Sequence, residues 1–237
     1  KLPIDYQYLD DAGTPFRDCP VQEICYSKGK TGVMPDISTS WNDPNYYGYR
    51  LEYQVSNSLR KVTFEEGVTR IGAYAYGVWR EGHSNLTEVR MPDSLTSIGD
   101  HAFSRQESLE NIEIPGNVTE IGAAAFAQCS ALKGIELPES IQKLGNYLFE
   151  SCTAFTSTEA VKLPSGIDSI PYGMYDGCSG IKEIVIPEKI KKIEGYAYYG
   201  LSEVSELEIP EQVEKIEDSA FGGMSSLKKI NLPIDYQ

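Results

Sequence analysis

The chain has 237 residues, 41% of them hydrophobic and 24% charged, and carries a formal net charge of −14. That balance excludes a nucleic-acid binder, because phosphates require a basic face, and it opposes adsorption to an anionic membrane. No apolar run approaches the roughly 18 residues of a transmembrane helix, so no membrane insertion is expected. Lys1 leads straight into polar sequence, as a chain trimmed of a leader would.

Residues 1–58 show no repeat. Clusters of Pro, Gly, Asp and Ser mark turns, with short strand-like runs at Val21–Tyr26 and Tyr49–Val55. From Leu59 the chain becomes periodic. Leu109–Ala131 (LENIEIPGNVTEIGAAAFAQCSA) is the cleanest unit, and Leu86–Ser108 and Val204–Ser226 match it in length and pattern. The array runs Leu59–Asn85, with an insertion around Trp79–His83, then Leu86–Ser108, Leu109–Ala131 and Leu132–Ala154. Phe155–Gly180 follows, with an insertion before Val161, then Ile181–Glu203, Val204–Ser226 and a short unit from Leu227. Self-similarity near two dozen residues is the signature of a solenoid, in which each unit buries its apolar face against its neighbours. Such an array needs a cover for its open first unit. Residues 1–58 are therefore expected to form an N-terminal cap, with Trp41, Tyr46 and Tyr47 among its large side chains, and 59–237 the array.

Within each unit the first segment alternates. Leu109, Ile112 and Ile114 point inward while Asn111 and Glu113 point outward, which predicts a short strand. A proline ends it (Pro92, Pro115, Pro138 and their equivalents), since proline lacks the amide a strand needs. A second apolar pair follows, such as Val118 and Ile121, then Gly122, then an Ala–Phe stretch. The aromatic repeats as Tyr76, Phe103, Phe126, Phe149, Tyr175, Tyr198 and Phe221, and these rings are expected to form one internal column. The glycine gives way to Pro171, Glu194 and Glu217 further along, which suits a turn of the coil and not a phosphate cradle.

Cys129, Cys152 and Cys178 each stand three residues after the aromatic of their unit and are expected to be buried thiols acting as small hydrophobes. Cys19 and Cys25 are close enough in sequence for a disulfide, and the sequence leaves that pairing open. Only two histidines exist, and the chain has no HExxH, no nucleophile elbow and no P-loop. No enzyme, metal or cofactor is expected. The chain begins KLPIDYQ and ends NLPIDYQ. The match predicts either a piece of a larger tandem protein or like edges able to pair, with self-association through the terminal repeat edge.

Units of the form L-x-x-I-x-I-P-x-x-V-x-x-I-G-x-x-A-F-x-x-C resemble the BspA-like leucine-rich repeats of bacterial cell-surface proteins, over residues 59–237. The resemblance implies an α/β-type repeat: a right-handed leucine-rich-repeat solenoid with a concave parallel β-sheet, short strands, and short helical or 3₁₀ turns on the other faces. It also implies a secreted or surface location and adhesion or protein binding, commonly to host matrix proteins. It brings no catalytic motif, so no site residues transfer.

A site must then come from geometry. The outward positions of the first strands include Glu88, Glu113, Glu136, Glu183, Glu206 and Glu208, which predicts an acidic stripe suited to a basic protein surface. Trp41, Tyr46, Tyr47 and Tyr196 are possible aromatic contacts. Two other roles fit the same residues: a structural spacer in a larger surface protein, and a carbohydrate-binding accessory module working through the aromatic cap.

Overall fold

In the computed structural model of the protein, residues 2–3, 19–36, 57–77 and 85–233 are described. The chain winds into a coil of parallel strands, numbered in chain order. One face carries a first ladder: β1 (Leu2–Pro3), β2 (Glu23–Ser27), β3 (Lys61–Phe64), β5 (Glu88–Arg90), β8 (Ile135–Glu136), β10 (Val161–Lys162), β13 (Glu206–Glu208) and β15 (Lys229–Asn231). The alternation predicted for these segments holds: Val62, Val89, Ile112, Ile135 and Leu207 are buried, and the residues between them are turned outward. β2 pairs in parallel with β3, Ile24 opposite Val62, so Glu23–Ser27 stands in the same ladder as the repeats. β1 pairs with β2, Leu2 opposite Tyr26.

The apolar pair after the proline makes a second parallel ladder: β4 (Arg70–Ile71), β6 (Ser97–Ile98), β7 (Glu120–Ile121), β9 (Lys143–Leu144), β11 (Ser169–Ile170), β12 (Lys192–Ile193) and β14 (Lys215–Ile216). Ile71, Ile98, Ile121, Ile170 and Ile193 are almost fully buried along it. The ladder is continuous except between β9 and β11, where the unit with the extra residues intervenes.

The third face holds the Ala–Phe stretch and differs from the expected helical turns. Among the described residues the one helical element is the 3₁₀ turn Thr158–Ala160. In unit after unit the residues two before and two after the core aromatic lie in the left-handed region: His101 (φ 51°) and Arg105 (φ 60°) around Phe103, Ala124 (φ 51°) and Gln128 (φ 59°) around Phe126. A helix would close its amide bonds within the unit. Here every second amide faces the next unit instead: Phe103 N–H donates to the Ala125 carbonyl at 2.9 Å and Phe126 N–H to the Leu148 carbonyl at 3.1 Å, while the amides between them close turns within the unit, as Ser104 N–H does on the His101 carbonyl. Backbone groups that water cannot reach must be paired, and this face pairs them alternately between units and within them.

The aromatic column forms as expected. Rings stack from Tyr76 to Phe221, with centroids 5.7 Å apart for Tyr76 and Phe103, 5.9 Å for Phe103 and Phe126, and 5.3 Å for Tyr198 and Phe221.

The cysteine column is buried, but it is more than small hydrophobes. The thiols of Cys129, Cys152 and Cys178 donate to the carbonyls of Phe103, Phe126 and Phe149 at 3.2, 3.2 and 3.0 Å. In the preceding unit Gln106 holds the same place and donates its amide to the Tyr76 carbonyl at 2.5 Å. In these four successive units the slot therefore holds a buried donor, while Leu201 and Met224 fill it with apolar side chains further along. Burial pushes the Cys129 and Cys178 thiols up to about 12, so they remain protonated and able to donate. Replacing Cys152 with alanine removes one of the two donors to the buried Phe126 carbonyl, the other being Cys129 N–H at 3.3 Å. Urea denaturation is expected to show a loss of about 0.5–1.5 kcal/mol, the worth of one hydrogen bond. All five cysteines are free, including Cys19 and Cys25.

Candidate binding face

The first ladder positions the candidate residues, because its outward side chains are repeated unit by unit on one surface. All six glutamates lie there, but their surroundings divide them. Glu88 is held by Arg90 at 2.5 Å and lies 4.0 Å from Lys61. Glu136 pairs with Lys162 at 3.3 Å and Glu206 with Lys229 at 3.3 Å. In the last two pairs the lysine comes from the adjacent strand, one unit further along the chain. The acidic stripe is thus compensated at three of its positions. Glu113, Glu183 and Glu208 are exposed, and among the described residues they form no ion pair. The compensating lysines were legible only through register, since sequence places each of them a whole unit away from its glutamate.

The ladder is interrupted beside Glu113. β3 pairs with β5, and β8 pairs with β10, but Asn111–Glu113 joins neither neighbour as a strand. At this seam lies a groove of about 650 Å³, lined by Glu88, Arg90, Asp93, Asn111 and Glu113 over the apolar Val89 and Ile112. It is shallow and mixed in character. Three carboxylates and one guanidinium give it a net negative lining.

Other carboxylates are paired along the second ladder. Glu120 pairs with Lys143 at 2.5 Å, and Glu217 bonds Lys215 and Lys192, each at 3.0 Å. These two lysines, Lys215 first, hold the Glu217 carboxyl down at about 2.

The aromatic candidates separate too. Trp41, Tyr46 and Tyr47 lie outside the described residues. Tyr196 (φ 58°) belongs to a surface run of rings with Tyr172 at 5.5 Å and Tyr199 at 5.1 Å, and Tyr172 meets Tyr147 edge-on at 5.3 Å. Burial first, then the hydrogen bond to Tyr172, pushes the Tyr147 phenol up to about 12. Gly173 explains how the run fits. A Cβ there would stand 2.3 Å from the Tyr147 ring, so only glycine lets that ring lie on the backbone. Tyr172 escaped the sequence reading because it stands three residues before its core aromatic Tyr175, while Gly173 holds the tyrosine register two residues before.

Among the described residues no three His, Cys, Asp or Glu side chains gather as a metal set, and no helix is long and apolar enough to cross a membrane.

A stacked coil of parallel strands with one outward-facing, unit-repeated surface defines a leucine-rich-repeat solenoid. The chain belongs to the BspA type leucine rich repeat family, whose model matches six copies over residues 51–158 and 154–237. The solved structures agree on the fold. The leucine-rich repeat protein TpLRR of T. pallidum is similar over 78% of this chain and 78% of its own, at 24% identity and a TM-score of 0.59. A leucine-rich repeat protein of Bacteroides ovatus is 21% identical over 75% of this chain and 56% of its own, with a TM-score of 0.53. One of Eubacterium ventriosum is 21% identical over 92% of this chain and 65% of its own, also with a TM-score of 0.53. At these identities the likeness shows the fold alone. The comparison with curated proteins finds no match.

Proposed function

We propose that the protein is a non-catalytic binding module, extracellular or at the cell surface, that docks a basic protein partner on the first-ladder face. In a right-handed coil of this family that face is the concave one. One observation carries the reading: Glu113, Glu183 and Glu208 are exposed, unpaired and repeated along a single surface, while the glutamates between them are neutralised. Carboxylates left without partners on such a face attract a cationic patch and speed its encounter.

The test is binding of the purified chain to immobilised matrix glycoproteins at low and high salt, with the triple variant Glu113→Lys, Glu183→Lys and Glu208→Lys alongside. A partner captured at low salt is expected to weaken as salt rises, because exposed charges are screened within about 10 Å at 0.1 M. It is expected to be lost in the triple variant. Capture that is indifferent to all three reversals sinks the reading.

A second reading rests on the tyrosine run Tyr147–Tyr172–Tyr196–Tyr199. Contiguous rings on a surface suit sugar stacking, and a glycan hit that survives the charge reversals places a carbohydrate site there. Silence on both panels leaves the structural spacer.

A further inference from the structure

The first ladder opens a second time where Phe155–Gly180 carries its extra residues. Those residues make the 3₁₀ turn Thr158–Ala160, capped by the Ser157 hydroxyl, which accepts from Glu159 N–H at 3.2 Å. The turn takes over the pairing that β10 would otherwise make with the next unit. Ser157 bridges to Glu183, and Thr158 N–H donates to the Glu183 carbonyl at 3.2 Å. The Thr158 hydroxyl accepts from Val185 N–H at 2.9 Å and donates to the Val185 carbonyl at 3.0 Å. β10 is left paired on one side only, with β8. In the resulting wedge a cavity of about 580 Å³ runs into the coil, walled by Val161, Leu163, Ile170 and Val185 and by the rings of Tyr175 and Tyr198.

Those two rings are the informative ones. The column position is phenylalanine at 103, 126, 149 and 221, and stacking is served equally well by either residue. Tyr175 and Tyr198 stack 5.4 Å apart at an angle of 4°, as two phenylalanines would. They are 2% and 1% exposed, and among the described residues neither hydroxyl makes a hydrogen bond. Neither hydroxyl is sealed in the core, so the trace of exposure left to these rings reaches their hydroxyl ends, and packing alone is served as well by phenylalanine. The rings enter the core from the turn face, while the cavity opens on the first-ladder face. It is therefore their far, hydroxyl-bearing ends that meet it. (Tyr76, the remaining tyrosine of the column, stands near the other end of the array.) Glu159 and Lys162 are exposed at the rim, so the interior walls carry no charge.

We propose that this cavity binds a small, neutral, largely apolar molecule whose carbonyl or hydroxyl oxygen accepts hydrogen bonds from Tyr175 and Tyr198. The volume falls in the roughly 300–1,000 Å³ range of small-molecule sites, and an apolar lining with a few converging polar groups is their usual character. A neutral ligand follows from walls without charge, and an acceptor follows from two phenols with protons to give. The site is independent of whether Glu113, Glu183 and Glu208 dock a protein.

The experiment uses the full chain and two probes of the same shape, acetophenone and ethylbenzene, titrated by NMR. Wild type is expected to bind acetophenone about tenfold more tightly than ethylbenzene, since only the ketone accepts hydrogen bonds from the two hydroxyls. Tyr175→Phe with Tyr198→Phe is expected to erase that preference while the thermal midpoint holds or rises. Leu163→Trp, which fills the cavity from a half-buried wall, is expected to exclude both probes. The proposal is overturned if wild type binds neither probe, if it binds them equally, or if the preference survives in the double phenylalanine variant. A double variant that melts below wild type would assign the hydroxyls to the fold and overturn it as well.

Discussion

Replacing Phe126 with alanine is expected to lower the folding free energy by about 3–5 kcal/mol, among the largest effects a single substitution can have in this chain. The ring is completely buried and lies 5.9 Å from Phe103 and 6.0 Å from Phe149, in nearly parallel stacking on both sides. Its loss leaves a void at the middle of the column, where the surrounding backbone is tied unit to unit. Phe126 N–H donates to the Leu148 carbonyl, and the Phe126 carbonyl receives the Cys152 thiol, so neither neighbour can move in to fill the space. In a solenoid, stability is the sum of unit terms and interface terms between adjacent units. A defect at Phe126 weakens two interfaces together and is expected to broaden the urea transition as the two halves uncouple. Phe221, only partly buried at the last full unit, serves as the comparison. Its alanine variant is expected to lose well under half as much and to keep a sharp transition. A Phe126→Ala loss below about 1 kcal/mol would show that the column is filler and not the spine of the array.

Gly145→Ala is the second large effect, and its cause is close approach, not chain flexibility. A Cβ at Gly145 would stand 2.2 Å from the Ala123 nitrogen, 2.4 Å from the Gly122 carbonyl carbon and 2.5 Å from the Ala123 Cα. All three are backbone atoms of the preceding unit, so no rotamer change can relieve the overlap. The coil would have to part at the bond from Gly145 N–H to the Ile121 carbonyl, now 2.8 Å. Overpacking costs about 1–3 kcal/mol where side chains can adjust. Here, with backbone against backbone, about 3 kcal/mol or more is expected in urea denaturation. Gly166→Ala is the control, since nothing lies within 4 Å of its Cβ position, and it is expected to stay within about 0.5 kcal/mol of wild type. If the two alanine variants proved equally stable, the close packing of successive units at Gly145 would be wrong.

The same position explains how the repeat erodes. Pro171, Glu194 and Glu217 replace this glycine, and all three lie beyond the break in the second ladder between β9 and β11. There the glutamates take up a different task. Glu194 accepts from Tyr172 N–H at 3.2 Å and Glu217 from Gly195 N–H at 3.4 Å, each tying its own unit to the one before. In the glycine-bearing units Asp100 does comparable work in the opposite direction, accepting from Ala123 N–H at 2.7 Å. A loss of consensus in the sequence is, in the structure, a change of hydrogen-bonding partner.

Periodicity alone determined the solenoid, the inward residues of the first strands, the aromatic column and the burial of Cys129, Cys152 and Cys178. Each of these follows from a side chain repeating at one place in every unit, and stacking turns such repetition directly into contact. Three features were beyond it. The second ladder has two-residue strands, too short for an alternation to register. The turn face resembles a helix in composition, and only the backbone shows that left-handed residues around each aromatic turn every second amide toward the next unit. The charge state of the outward face depends on which lysine stands beside which glutamate across a strand boundary, and so on register. Glu136 and Glu183 look alike in sequence, yet one is neutralised by Lys162 and the other stands unpaired. The wedge beside β10 is of the same kind. Sequence shows that residues are inserted before Val161, but only three-dimensional pairing decides that Thr158 captures Val185 and leaves a cavity beneath.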